Sequence, residues 1–123
     1  KRTGNILSPV LMTKVPENAK VSCDEVFGPV IVLEAYERIE DAIGKVNSAS
    51  FGLQAGVFTE SQRVVQRVSE LLDVGGVLIN EIPTFRADHL PYGGSKDSGL
   101  GREGIRYAME EYCEQKTIIQ WRG

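Results

Sequence analysis

Between Val30 and Asn80 the spacing of apolar residues switches from continuous to helical and back, and few folds accommodate that rhythm. Val30 to Ala35 is a short apolar run opened by Gly28-Pro29, the pattern of a strand buried on both faces. From Arg38 onward Ile39, Ala42, Ile43 and Val46 recur at helical spacing, and Asn47 suits the end of that helix. Leu53 to Phe58, introduced by Gly52, reads as a second buried strand. Thr59 is placed to cap the next helix, with Gln62 three residues on completing a capping box. Val64, Val65, Val68, Leu71 and Leu72 form that helix's apolar stripe, Gly75-Gly76 stops it, and Val77 to Asn80 supplies a third strand. Strand, helix, strand, helix, strand makes two βαβ units, so the predicted class is α/β with a parallel β-sheet and right-handed crossovers.

The flanks are less regular. Ile6 to Val15 reads as an extended segment broken by Pro9. Glu81 to Gly101 has no strand or helix period, yet it carries Phe85, Leu90 and Tyr92, which favours an ordered functional loop. A helix bearing Ile105, Ala108, Met109 and Tyr112 follows, and Thr117 to Trp121 is rich in strand formers. With 123 residues, 41% of them hydrophobic, the chain can fill one modest core, and no internal repeat or linker divides it. The net charge of -3 comes without a Lys/Arg block, which argues against nucleic acid or an anionic membrane surface as partner. The longest apolar run, Val30 to Leu33, is far short of the roughly 20 residues that span a bilayer. No secretory leader follows Lys1, and Cys23, Cys113 and His89 make no metal-binding spacing, so a reduced, cytoplasmic setting is expected.

Gly99-Leu100-Gly101-Arg102-Glu103-Gly104 matches G-x-G-x-x-G, the dinucleotide fingerprint. That fingerprint needs a strand ending at its first glycine and an acid about 20 residues later; neither is present, so these glycines read as loop packing. Three longer stretches are more specific in combination. Asp24-Glu25-Val26-Phe27-Gly28-Pro29-Val30, then Asn47 through Gly52 running into Leu53-Gln54-Ala55-Gly56-Val57-Phe58, then Pro91-Tyr92-Gly93-Gly94-Ser95-Lys96-Asp97-Ser98-Gly99-Leu100-Gly101-Arg102-Glu103-Gly104. In order and spacing this series resembles the aldehyde dehydrogenase superfamily, over almost the whole chain. The resemblance implies that residues 1–116 are the later part of a catalytic domain and 117–123 a terminal strand joining an oligomerisation sheet. It also implies NAD or NADP as cofactor, a small aldehyde as substrate and a homo-oligomer. The family's nucleophilic Cys, its general-base Glu and the glycines beneath the pyrophosphate match nothing here; they would lie upstream of Lys1, and the isolated chain is expected to be inactive.

By the same resemblance Glu25 would hydrogen-bond the nicotinamide ribose and Phe27 would lie beside the nicotinamide, although the one also reads as an exposed acid and the other as core. Glu103 would belong to a proton relay, or complement the first turn of the following helix. Lys96 reads as structural, and Asn80 as a turn cap or a ligand contact. Phe85, Arg86 and Tyr92 fall where the family builds its substrate tunnel. Arg86 could grip an anionic group on the aldehyde or pair with Asp88. The Phe-Arg-Ala-Asp-His wording resembles members acting on small oxygenated or anionic aldehydes such as lactaldehyde or phosphonoacetaldehyde. Neither cysteine reads as a nucleophile: Asp24 and Glu25 follow Cys23, and Cys113 falls on the last helix as a small packed residue. The competing reading is a free-standing, noncatalytic assembly or ligand-binding module with the same fold.

Overall fold

The computed structural model describes residues 2–123, which form two compact units divided after Ser50. In the first, β1 (Arg2–Thr3) and β2 (Ile6–Leu7) pair antiparallel around a turn in which Gly4 takes φ 60°. Pro9 interrupts the extended segment as expected, and β3 (Val10–Thr13) resumes after it. One helical turn, α1 (Lys20–Cys23), lies on the connection to β4 (Val30–Leu33), which pairs parallel to β3 with Val10 opposite Val30.

Helix α2 (Ile39–Ser48) turns the centre of the predicted stripe inward: Ile43 is buried at 6% exposure, while Val46 stays exposed. Glu40 and Asp41 in its first turn complement the helix dipole. The helix ends at Ala49, so Asn47 sits inside the last turn rather than at the cap. Strand β4 corrects a second expectation: Val30 and Val32 are half-buried, whereas Ile31 and Leu33 are exposed, so only one of its faces is covered.

In the second unit β6 (Gln54–Val57) and β7 (Gly76–Ile79) pair parallel through helix α3 (Gln62–Leu71), a complete βαβ unit. Val68, 1% exposed, anchors α3. The N-cap is Ser61, whose Oγ accepts from the Val64 amide at 3.4 Å; Thr59 lies upstream, its hydroxyl accepting from the Ser61 amide at 3.1 Å. The expected cap at Thr59 is therefore displaced by two residues, because Asn80 takes up the Thr59 peptide group. Asn80 Oδ1 accepts from the Thr59 amide at 2.8 Å, and Nδ2 donates to the Thr59 carbonyl at 3.0 Å. Within the units, β4 pairs parallel with β3 and β6 pairs parallel with β7.

Short β5 (Phe51–Gly52) pairs antiparallel with β8 (Ser95–Lys96), giving the long 81–101 loop an anchor that the sequence did not signal. Helix α4 (Ile105–Glu111) follows Gly104 at φ 121°, and its predicted stripe of Ile105, Met109 and Tyr112 is exposed rather than packed. No strand is assigned in residues 113–123, where Ile118, Ile119 and Trp121 are exposed. An edge strand needs a partner to complete its ladder. Among the described residues no helix is long and apolar enough to cross a membrane.

Asn80 holds φ 56°, a left-handed conformation that Asn tolerates and Ala resists. Asn80→Ala is expected to cost about 1–2 kcal/mol from strain and two exposed hydrogen bonds. Asn80→Gly should recover the strain part alone. Urea midpoints of the two variants measure the difference, and an unshifted Ala variant would remove any role for the clamp.

Candidate functional site

In the second unit the edge of β7 and the loop after it enclose a groove of about 600 Å³. Phe85, Arg86 and Tyr92, the three residues assigned to substrate from the sequence, all line it. The loop bends into place through turns closed by the amides of Phe85 and Leu90, which donate to Ile82 and Ala87 carbonyls at 3.2 and 2.9 Å. Gln54 on β6 reaches the same wall, its Nε2 donating to the Phe85 carbonyl at 3.4 Å. Gly75 and Gly76, read from sequence only as a helix stop, also line the groove. A polar Gln inside an apolar strand was the available signal for the first; the glycines gave none beyond chain-breaking.

Arg86 is the centre of this arrangement. Its Nη2 donates to Glu103 Oε2 at 2.8 Å, and its guanidinium lies 4.5 Å from the centre of the Tyr92 ring. Tyr92 and Glu103 are fastened to each other by a two-bond antiparallel bridge: the Tyr92 amide donates to Glu103 O at 3.0 Å, and the Glu103 amide to Tyr92 O at 2.6 Å. So the predicted relay residue and two predicted substrate residues meet, and the partner of Arg86 is Glu103, not Asp88. The Arg86 and Glu103 side chains are 47% and 64% exposed, so the pair is open to water and exchangeable.

The glycine-rich segment behaves as loop packing. Gly99, Gly101 and Gly104 all take positive φ, and Arg102 Nη1 donates to the carbonyls of Gly94 and Gly101 at 2.9 and 2.7 Å. Gly94 is buried. Lys96, at φ 55°, belongs to β8 opposite Phe51.

Glu25 and Phe27 stand in the first unit, on the loop entering β4. The Gly28 amide donates to Val26 O at 2.9 Å, which makes Phe27 the apex of a three-residue turn, and its side chain is 92% exposed. Glu25 is exposed, without a hydrogen bond or ion pair among the described residues. Cys23 is exposed, its thiol donating to the Glu17 carbonyl at 3.1 Å. Cys113 is exposed and lies beyond the end of α4, a correction to its expected packed position. No cluster of His, Cys, Asp or Glu among the described residues could hold a metal ion.

Two cations are shifted by structural pairing. The hydrogen bond from Lys45 Nζ to Glu34 Oε2 (2.6 Å) holds the ammonium above its ordinary 10.5, and Glu110 raises Arg106 in the same way. Both pairs lie outside the groove. A raised Lys contributes fully below its unfolded value and loses that contribution only as pH rises through the folded value, so neutral pH leaves the Lys45 contact unchanged.

The sequence model of the aldehyde dehydrogenase family matches residues 1–118. The 3-sulfolactaldehyde dehydrogenase of Priestia aryabhattai is 41% identical over 119 residues, covering 97% of this chain and 25% of that protein. The lactaldehyde dehydrogenase of Methanococcus maripaludis is 44% identical over 118 residues, covering 96% and 25%. The crystal structure of glyceraldehyde-3-phosphate dehydrogenase GapN from Methanocaldococcus jannaschii, complexed with NADP, superposes with a TM-score of 0.81 at 39% identity, over 90% of this chain and 24% of that one. The chain therefore spans about a quarter of the length of the proteins it resembles. With one family model running across nearly its whole length, this chain belongs to the aldehyde dehydrogenase family.

Proposed function

We propose that this chain is the C-terminal part of the catalytic domain of an NAD(P)-dependent dehydrogenase that oxidises small aldehydes carrying an anionic group to carboxylic acids. The observation that carries the reading is Arg86 in the groove: among the described residues, the one cationic side chain in a mainly apolar lining that also includes Gln54 and Glu81, stacked on Tyr92, with a single N–H donor engaged. Four further N–H groups are left to meet sulfonate, carboxylate or phosphate oxygens. Phe85 supplies the apolar side against which a short carbon chain packs. Similarity to a sulfolactaldehyde dehydrogenase and to a glyceraldehyde-3-phosphate dehydrogenase supports an anionic substrate.

The first unit fits the nicotinamide end of the cofactor. Glu25 offers an uncommitted carboxylate to a ribose diol, and Phe27, two residues on, offers an exposed flat face. When bound, the cofactor supplies the hydride acceptor. Glu103 is read as a proton-relay residue, and residues 117–123 as a strand that pairs within an oligomer. The groove itself is lined by no cysteine, so in this reading the nucleophile comes from polypeptide outside the chain.

Two measurements test this. The complete polypeptide should reduce NAD or NADP with short sulfonated, carboxylated or phosphorylated aldehydes; inactivity toward all three would end the substrate reading. Residues 1–123 alone should give no turnover, and calorimetry should show no NAD binding at micromolar concentration. Micromolar binding by the isolated chain would mean the cofactor site is whole without the rest.

A further inference from the structure

We propose that Glu103 tunes the selectivity of the groove by competing with the substrate's anionic group for Arg86, an inference that rests on the reading of the groove as an aldehyde site. Two different forces hold Arg86, and they can be separated. The Tyr92 ring sets the plane of the guanidinium from 4.5 Å, while the Glu103 carboxylate occupies one Nη2 donor at 2.8 Å. Tyr92 owes its place to backbone bonds with residue 103, at 3.0 and 2.6 Å, which no side-chain change at 103 removes. Neutralising Glu103 thus leaves the stacking platform standing and deletes the negative charge bonded to Arg86; the groove's own carboxylate, Glu81, accepts from the Ile82 amide at 2.8 Å and is untouched.

That charge works against an incoming anion. An oxyanion bonded to the free edge of the guanidinium comes within a few ångströms of the Glu103 carboxylate, and the like charges repel. The two side chains are 47% and 64% exposed, so water screens the repulsion and keeps it modest. An oxyanion that presents two oxygens to the planar fork overcomes a carboxylate that makes a single contact, whereas a weakly bonding anion does not. Glu103 in this role is a filter: it lowers the affinity for every anion and leaves the groove to those matching the fork.

The test uses the complete dehydrogenase and two four-carbon aldehydes, one ending in a carboxylate and one uncharged. The readout is the ratio of their kcat/KM values, in which a loss of turnover common to both cancels, including any loss from the proton relay. Glu103→Gln is expected to raise the ratio by about threefold, through a lower KM for the charged aldehyde. Binding of inorganic sulfate, measured by calorimetry, should tighten by a similar factor, an independent measure that needs no turnover should the variant be too slow for the ratio. An unchanged or falling ratio, with Arg86→Met still abolishing the preference, overturns the competition and leaves the groove assignment standing. A ratio untouched by Arg86→Met overturns both.

Discussion

Replacing Arg86 with Met in the complete dehydrogenase is expected to lower kcat/KM for a sulfonated or carboxylated short aldehyde by about 10–100-fold, with an uncharged aldehyde of the same length held within about twofold. Met retains the apolar stem of the side chain and removes the charge and the fork. The magnitude follows from charge-assisted hydrogen bonds worth about 1.5–3 kcal/mol, since each 1.4 kcal/mol is tenfold. Half-exposure of Arg86 limits the loss to that range and keeps it short of the larger penalties seen for fully buried charges. Arg86→Lys separates charge from shape. The ammonium keeps the charge but cannot present two parallel N–H groups or lie flat on Tyr92, so an intermediate loss is expected. Initial rates with the two aldehydes measure the split between KM and kcat. Equal losses for both would mean that Arg86 packs the groove and reads no charge.

What was legible in the sequence was local. The stripes of α2 and α3 follow from apolar residues three and four apart, and the structure buries their centres at Ile43 and Val68 while Val46 and Leu71, toward the helix ends, stay exposed. Phe85, Arg86 and Tyr92 share a groove because one ordered loop carries all three. Strand partners were not legible, because pairing is decided by surfaces far apart in the chain and apolar runs such as Val30 to Leu33 and Gln54 to Val57 accept more than one neighbour. The same limit explains Arg86, where Asp88 was nearer in sequence and Glu103, seventeen residues away, was nearer in space. Ser61 displaced Thr59 as cap for a third non-local reason: Asn80, on the far side of the βαβ unit, claims the Thr59 peptide. Burial was over-predicted at Ile31 and Leu33, and Ile105, Met109 and Trp121 are exposed as well. Exposed large apolar side chains of this kind, in each unit, call for a covering surface. Under the proposed reading that cover is the remaining three-quarters of a dehydrogenase, so the sequence describes contacts this chain does not contain by itself.

The largest structural effect is expected from Gly75→Ala. Gly75 sits where the β5–β6 segment, the start of β7 and the glycine loop meet: its amide donates to Gly52 O at 3.0 Å, and the next amide, of Gly76, donates to Leu53 O at 3.0 Å. A methyl group on Gly75 would overlap the Gly93 carbonyl oxygen outright and stand 3.0 Å from the Leu53 carbonyl oxygen. Both obstacles are backbone, with no flexible side-chain end to swing aside. Gly93 cannot retreat cheaply, because a Cβ there would already lie 2.7 Å from the Gly101 carbonyl oxygen, and its neighbour Gly94 is buried with its carbonyl held by Arg102. Relief therefore requires the 93–101 loop to lift from β7, breaking the β5–β8 pairing and moving Tyr92, and with it the platform under Arg86. A cost above about 4 kcal/mol is expected, the scale of severe overpacking combined with a lost buried hydrogen bond. In the complete dehydrogenase this should appear as a fall in melting temperature of about 8 °C or more, or as protein that fails to accumulate in soluble form, given about 2–4 °C per kcal/mol for a domain of 150–250 residues. Glycines with open space around them in this chain make the comparison: Gly28→Ala and Gly44→Ala meet nothing within 4 Å here, and any fall they cause should stay well below that of Gly75→Ala. Should Gly75→Ala melt with them, the close seating of the glycine loop on β7 would be wrong, and so would the wall it builds beneath Arg86.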